Sequence, residues 1–281
     1  MTSRHYQVEL KVEASCLTIV PANLHELPLK AISMKINVKG ILTGTLLAMA
    51  LTHSVMAAPD SIQPAPASAA QSKVVIVTEE PGHIVRYRSP RFIIYTNHFA
   101  PGDWTLYHEH RHDLLAVIAG ETVAINQKLG NESSEQAVPA GTVAFFPYAD
   151  MPNGYVHRIS VGGTKPFINV GLDFQEAVPN VERKAALPML EGKAVTLIGE
   201  NRRGRAYRVE LGAGQSLDLP VAGSALLLVA LETSSIMLGD LTALSRWDSV
   251  PGDFRFFETN MPNRISNQTD HSSKAILFQA Y

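Results

Sequence analysis

The sequence predicts an all-β protein built as two tandem β-domains, and three observations carry that expectation. From Val74 onward, short runs of β-branched and aromatic residues alternate with Gly, Pro and Asn clusters, the pattern of an antiparallel sandwich or barrel. The two halves of that region repeat one another. Only Val178 to Leu190 has a helical look, and Pro188 interrupts it, since an interior proline removes a helix hydrogen bond and clashes with the preceding turn.

The chain has 281 residues, 46% of them hydrophobic, and a formal charge of −2. That is room for one large domain or two ordinary ones. With no basic excess, nothing suggests a nucleic-acid surface. Near the N-terminus, Met34-Lys35-Ile36-Asn37-Val38-Lys39 is followed by an apolar run from Ile41 to Leu51 and then by Val55-Met56-Ala57. Positive, apolar and small-residue segments in that order read as a secretory signal peptide over 34–57. The apolar run is too short to span a bilayer comfortably; a retained anchor is the other reading. Met34 then reads as the start of translation, and residues 1–33 as an over-extended frame.

Cleavage after Ala57 leaves 224 residues with 19 basic against 23 acidic side chains, a net charge of −4. The single cysteine, Cys16, is then lost, so neither disulfides nor thiolate metal ligands are expected. The product reads as a soluble, mildly acidic secreted protein, periplasmic in a Gram-negative host, free of the membrane and compatible with a homo-oligomer. Residues 58–72, rich in Pro, Ala, Ser and Gln, read as a flexible leader.

Strands are expected at Val74–Val77, Ile84–Tyr87, Phe92–Tyr95, Leu114–Ile125, Thr142–Phe146 and Phe167–Phe174 in the first half. In the second they are expected at Ala194–Ile198, Tyr207–Leu211, Ala225–Leu231, Phe254–Phe257 and Ala275–Ala280. The repeat pairs Asp113-Leu114-Leu115-Ala116-Val117 with Ala225-Leu226-Leu227-Leu228-Val229 at an offset of 112. It pairs Gly141 with Gly252 at 111 and Met151-Pro152-Asn153 with Met261-Pro262-Asn263 at 110. Loop insertions produce such a drift. The expected domains are 73–177 and 194–281, joined by a connector over 178–193.

The chemistry concentrates between Gly102 and Gly120. His108, His110 and His112 recur at period two, with Asp113 next. In a strand, alternate side chains share a face, so the imidazoles would point one way and Glu109 and Arg111 the other. Imidazoles and a carboxylate in one cavity suit a divalent transition metal; a histidine-rich polar face is the plainer alternative. A second half-site follows: Gly141, five residues, Pro147, then Gly154-Tyr155-Val156-His157.

Together these stretches resemble the cupin family, whose first motif is a glycine, five residues, His-x-His, a carboxylate and a closing glycine. Its second is a glycine, five residues, a proline, then Gly-x-x-His. The resemblance implies two jelly-roll barrels after the signal peptide, and a metal held by His108, His110 and His157. It also implies a carboxylate ligand four residues after the second histidine, where this chain has Leu114. Asp113 is the candidate for that role; His112 is the competing one, although a straight strand sets 108 and 112 about 13 Å apart at roughly 3.3 Å per residue. The stretch from Pro147 to Gly154 is longer than the family's.

Such a set leaves open positions on Fe²⁺, Mn²⁺, Ni²⁺ or Zn²⁺, among which the sequence does not choose. Open positions admit dioxygen or a chelating small molecule, or polarise a carbonyl. Two functions follow: a metal-dependent small-molecule enzyme of dioxygenase, lyase or isomerase type, or a non-catalytic extracytoplasmic protein that captures a small ligand or metal. No catalytic acid or base can be named. Trp104, Tyr107, Phe145, Phe146 and Tyr155 read as barrel core before substrate contacts. At the repeat positions the second half has Pro220, Ala222, Ala225 and Asn267 or Asn263, no imidazole among them, so it reads as a packing partner. His83 and His271 read as surface or structural histidines.

Overall fold

The computed structural model describes residues 73–178, 187–220, 225–240 and 243–281. The expected signal peptide, the leader and half of the connector, 179–186, lie outside these residues. Leu187 to Leu190, inside the stretch with a helical look, form no helix. Among the described residues no helix is long and apolar enough to cross a membrane.

The N-terminal half holds ten strands: β1 (Val75–Ile76), β2 (Ile84–Arg88), β3 (Phe92–Phe99), β4 (His108–His110), β5 (Leu114–Ile118), β6 (Thr122–Lys128), β7 (Ser133–Val138), β8 (Thr142–Phe146), β9 (Tyr155–Gly162) and β10 (Phe167–Phe174). They form two sheets, ordered β1-β4-β9-β6-β7 and β2-β3-β10-β5-β8. The C-terminal half holds β11 (Val195–Asn201), β12 (Gly204–Leu211), β13 (Ser216–Asp218), β14 (Leu226–Ala230), β15 (Ser234–Gly239), β16 (Leu244–Ser249), β17 (Phe254–Phe257), β18 (Arg264–Asn267) and β19 (Ser273–Ala280). Its sheets run β11-β12-β19-β14-β17 and β13-β18-β15-β16.

Each half is a two-sheet jelly-roll barrel. β5 lies between β10 and β8 as β14 lies between β19 and β17, so the strand order repeats as the sequence does. Among the described residues only the pairing of β1 with β4 is parallel.

The sequences Leu-Leu-Ala-Val-Ile of β5 and Leu-Leu-Leu-Val-Ala of β14 are apolar throughout because both strands are buried on both faces. One face looks into its own barrel. The other joins a core shared by the two barrels, in which Phe92, Leu115, Val117, Leu172 and Phe174 meet Leu227, Val229, Ile276 and Phe278. A strand covered on both sides loses the alternation of a half-exposed one. The expected single strand from Leu114 to Ile125 is two, broken at Ala119 to Glu121. β7, with the sequence Ser-Ser-Glu-Gln-Ala-Val, was not expected, because it is an edge strand exposed almost throughout and carries no apolar signature.

Candidate metal centre

β4 is a three-residue strand, His-Glu-His, between β1 and β9. Its pleat turns His108 and His110 into the barrel and Glu109 outward, where Glu109 meets Arg111 Nε at 2.9 Å. β9 pairs so that His157 lies directly opposite His108. Gly154 permits this approach: its φ is +66°, and a Cβ there would stand 2.9 Å from the carbonyl oxygen of His110. Only glycine meets both conditions without strain.

The three imidazoles of His108, His110 and His157 are buried, and one ring nitrogen from each lies within 4.8 Å of the others. His108 Nδ1 donates to the Leu106 carbonyl at 2.9 Å, and His157 Nδ1 donates to Asn126 Oδ1 at 2.9 Å. Each bond holds the proton on Nδ1 and leaves Nε2 with a free lone pair. His108 Nε2 is buried without a hydrogen-bond partner, and His110 Nε2 stands 3.1 Å from His157 Nε2. Adjacent nitrogen ligands on one ion sit roughly 3.0–3.4 Å apart, at metal–nitrogen distances of about 2.0–2.1 Å for zinc. The residues therefore fit a divalent metal: the lone pairs of His108 Nε2 and His157 Nε2 stand together beside His110 Nε2, where a cation can take a nitrogen from each ring.

Their protonation state agrees. Burial, then the neighbouring charge of His83, brings His108 down to about 3. Burial and the adjacent imidazoles hold His110 well below the usual histidine range, and burial with His108 and His83 does the same for His157. All three are neutral at neutral pH, as a metal ligand must be. Tyr148 faces His110, with ring centroids 5.0 Å apart, and Tyr155 faces His157 at the same separation.

One expectation about this site is corrected. Asp113 does not join the histidines. It is fully buried, and its carboxylate accepts hydrogen bonds from Arg202 Nε at 2.8 Å, from Arg203 Nε at 2.6 Å and from the Ala149 amide at 3.3 Å. Burial pushes its pKa up, but the two guanidinium groups more than offset this and hold it below the usual range. Both arginines lie in the turn between β11 and β12, so the residue assigned to the metal instead fastens the N-terminal barrel to the C-terminal one. His112, the competing candidate, is outside the cluster too, because β4 ends at His110 and the chain bends at His112.

His83 takes the structural of the two expected roles, but beside the site and not in isolation. It is buried inside the N-terminal barrel, its ring centroid 4.5 Å from that of His108. Its Nδ1 donates to Glu80 Oε2 at 2.6 Å. Glu80 also accepts from the Gly82 amide at 2.7 Å and the Leu106 amide at 3.1 Å. Burial raises the Glu80 carboxyl, while the bond to His83, its charge and the Leu106 amide bring the balance below the usual value. Neither residue belongs to a recognisable motif, and no spacing in the sequence ties 80 and 83 to 108.

Of the aromatic residues near the motifs, Tyr107 and Tyr155 are buried and Phe146 packs on the inner core of the N-terminal barrel. Phe145 packs on the shared core. Trp104 is 41% exposed, with the Arg158 guanidinium 4.2 Å from its ring centroid.

The C-terminal barrel is filled. On β13 and β18, the strands matching β4 and β9, the paired residues Leu217 and Ile265 enter an apolar core with Leu228, Leu238, Trp247 and Leu277. The cavity inside it amounts to about 10 Å³. Asn267, in place of His157, is fully buried, and its amide donates to the carbonyls of Leu211, Gly212 and His271. A cleft of about 740 Å³, lined by Arg86, Asn97, His98, Asn169, Trp247 and Arg255 among others, includes none of His108, His110 and His157.

No protein-family model and no curated protein matches the sequence. Solved structures with a similar fold include AerE from Microcystis aeruginosa, at 10% identity over 72% of this chain and 98% of that one, with a TM-score of 0.49. A cupin 2 conserved barrel domain protein from Leptotrichia buccalis shares 12% identity over 70% of this chain and 88% of that one, TM-score 0.44. Salicylate 1,2-dioxygenase from Pseudaminobacter salicylatoxidans shares 12% identity over 69% and 72%, TM-score 0.47. In its jelly-roll halves and its His-x-His and Gly-x-x-His motifs, this chain resembles the cupin superfamily.

Proposed function

We propose that this protein is an exported metal-binding cupin whose N-terminal barrel carries out metal-dependent chemistry on a small molecule, of dioxygenase, lyase or isomerase type. One observation carries the reading: three buried, neutral imidazoles converge, with His108 Nε2 unpartnered and His110 Nε2 and His157 Nε2 facing each other at 3.1 Å, while the nearby carboxylate of Asp113 is engaged elsewhere. His108, His110 and His157 would hold one divalent ion of the Fe²⁺, Mn²⁺, Ni²⁺ or Zn²⁺ class. When bound, the ion supplies open coordination positions for dioxygen or for an oxygen atom of the substrate. Leu106 and Asn126 fix the tautomers of His108 and His157, so the ligands are oriented before the metal arrives. Tyr148 and Tyr155 wall the site against water.

Metal content of protein purified without added metal, followed by dioxygen uptake and product formation over a panel of small phenols, sugars and organic acids, tests this. Stoichiometric metal with turnover of one compound supports it, and absence of metal even after reconstitution defeats it. A second reading, capture of a small ligand without turnover, is favoured by the state of Glu80, whose oxygens already accept three hydrogen bonds. Tight binding with no product on any member of the panel would select it. Export rests on the segment from Met34 to Ala57; an intact mass beginning at Ala58 in the exported fraction supports it, and Met1 at that terminus refutes it.

A further inference from the structure

The wall of the N-terminal barrel opposite the metal strands carries two buried amide oxygens with no hydrogen-bond partner. On β3, Ile93, Tyr95, Asn97 and Phe99 alternate toward the barrel interior; on β10, Phe167, Asn169, Gly171 and Asp173 do the same. Asn97 and Asn169 are register partners, 2% and 6% exposed, and the Oδ1 of each is buried without a hydrogen-bond partner. A buried amide left unpaired costs about 1–3 kcal/mol, and the chain carries two of them side by side.

Their surroundings connect them to the metal centre. Phe99 and Phe167 stack next to the pair, with centroids 6.1 Å apart. On its other side Tyr95 lies over Gly171, where a Cβ would come within 2.3 Å of the ring. His83 contacts Tyr95 at 4.9 Å and Phe99 at 6.2 Å, the residues that flank Asn97 on the same face of β3, and His108 at 4.5 Å. The Asn pair and the histidines therefore face one interior. Inside the barrel no cation joins them: the buried arginines among the described residues are Arg203 and Arg205, both on the C-terminal barrel, and Arg86 and Arg255 line the separate cleft that the pair also borders.

Resting on the metal-centre reading above, we propose that Asn97 and Asn169 are the recognition wall for the distal end of the small molecule bound at the metal, and that this molecule is neutral there and bears hydroxyl groups. A carboxamide both accepts and donates, which matches a hydroxyl. A distal carboxylate would find no arginine or lysine and would stand near the buried carboxylate of Glu80. Sites built to bond a hydroxyl reject analogues that leave their polar groups unpaired.

The test uses the full exported chain loaded with Co²⁺, its metal content measured first. Matched neutral and carboxylated probes, catechol against 3,4-dihydroxybenzoate and glucose against gluconate, are titrated by calorimetry and by the cobalt absorption bands. At least one neutral probe should bind tenfold or more tightly than its acid. Asn97→Leu and Asn169→Leu should each weaken that probe about tenfold, keep full cobalt content and leave the melting temperature equal or higher, since an isosteric apolar side chain removes an unpaired amide. If either leucine variant does not fold, Asn→Ala at that position replaces it, with the same expected loss of binding. Equal or tighter binding of the acids, unchanged affinity in both variants, or no binding of any neutral probe by cobalt-replete protein overturns the proposal while leaving the metal centre standing. A chain that takes up no cobalt refutes the centre itself, and the proposal with it.

Discussion

The carboxylate of Asp113 and the guanidinium of Arg203 meet at 2.6 Å, with both side chains buried, across the boundary between the two barrels. Asp113 follows the metal strand by three residues, and Arg203 sits in the β11–β12 turn, where its Nη1 also donates to the carbonyls of Glu176 and Ala177. The second barrel thus reaches the first beside its metal ligands.

Asp113→Ala should leave two guanidinium groups facing an apolar gap. Breaking a buried pair from one side costs about 3–5 kcal/mol, so a large fall in the denaturation midpoint is expected. Metal per folded chain should stay near that of the wild type, since Asp113 is no ligand. Loss of metal from a variant that remains folded would restore the carboxylate to the coordination sphere.

His110→Ala should remove stoichiometric metal without unfolding the barrel, because β4 keeps its backbone pairing to β9. Elemental analysis beside circular dichroism reads both at once. His112→Ala should leave metal content unchanged.

Acid should destabilise the metal-free protein from higher pH than carboxylates alone would allow. His108, His110 and His157 have folded pKa values below the ordinary 6.5, that of His108 at about 3. Between those limits the unfolded chain binds protons that the native chain does not, so stability falls as pH drops below about 6.5. Urea titrations of demetallated protein from pH 7 to pH 4 should show the midpoint falling, and falling less in a His108→Gln variant.

Asp173 works in the opposite sense. Burial raises it to about 7, against the opposing bond from Gln175 and assisted by the charge of Asp113. The native chain then holds a proton that the unfolded chain has lost, so this group's contribution declines as pH rises from about 4 to 7. Asp173→Asn should remove that decline, leaving stability at pH 7 to 8 equal to or above that of the wild type. A variant less stable than the wild type throughout that range would contradict the assignment.

Asn267→Ala should damage the C-terminal barrel alone. Three backbone carbonyls would lose the Asn267 amide, and Thr269 would lose its acceptor Oδ1, at a cost of roughly 1–3 kcal/mol. Metal content should not change. A metal loss accompanying normal stability would mean that the second barrel carries part of the site.

The sequence by itself determined the β architecture, the repeat and three histidines of the site, because each is written in local spacing. The alternation of turns and β-branched runs specifies strands, and the five residues between Gly102 and His108 and the two between Gly154 and His157 are set by turn geometry at the barrel mouth. What the tertiary structure alone decided concerns partners remote in the chain. Asp113 lies one residue short of the expected ligand position and reads as its stand-in, yet Arg202 and Arg203, about ninety residues on, hold its carboxylate. His83 looks isolated because its neighbours Tyr95, Phe99 and His108 reach it only when β3 and β4 form opposite walls of the barrel. Asn97 and Asn169 lie in ordinary strand runs, and only the pairing of β3 with β10 makes them neighbours without partners. Strand spacing encodes which way a side chain points; what it meets there depends on how the sheets close.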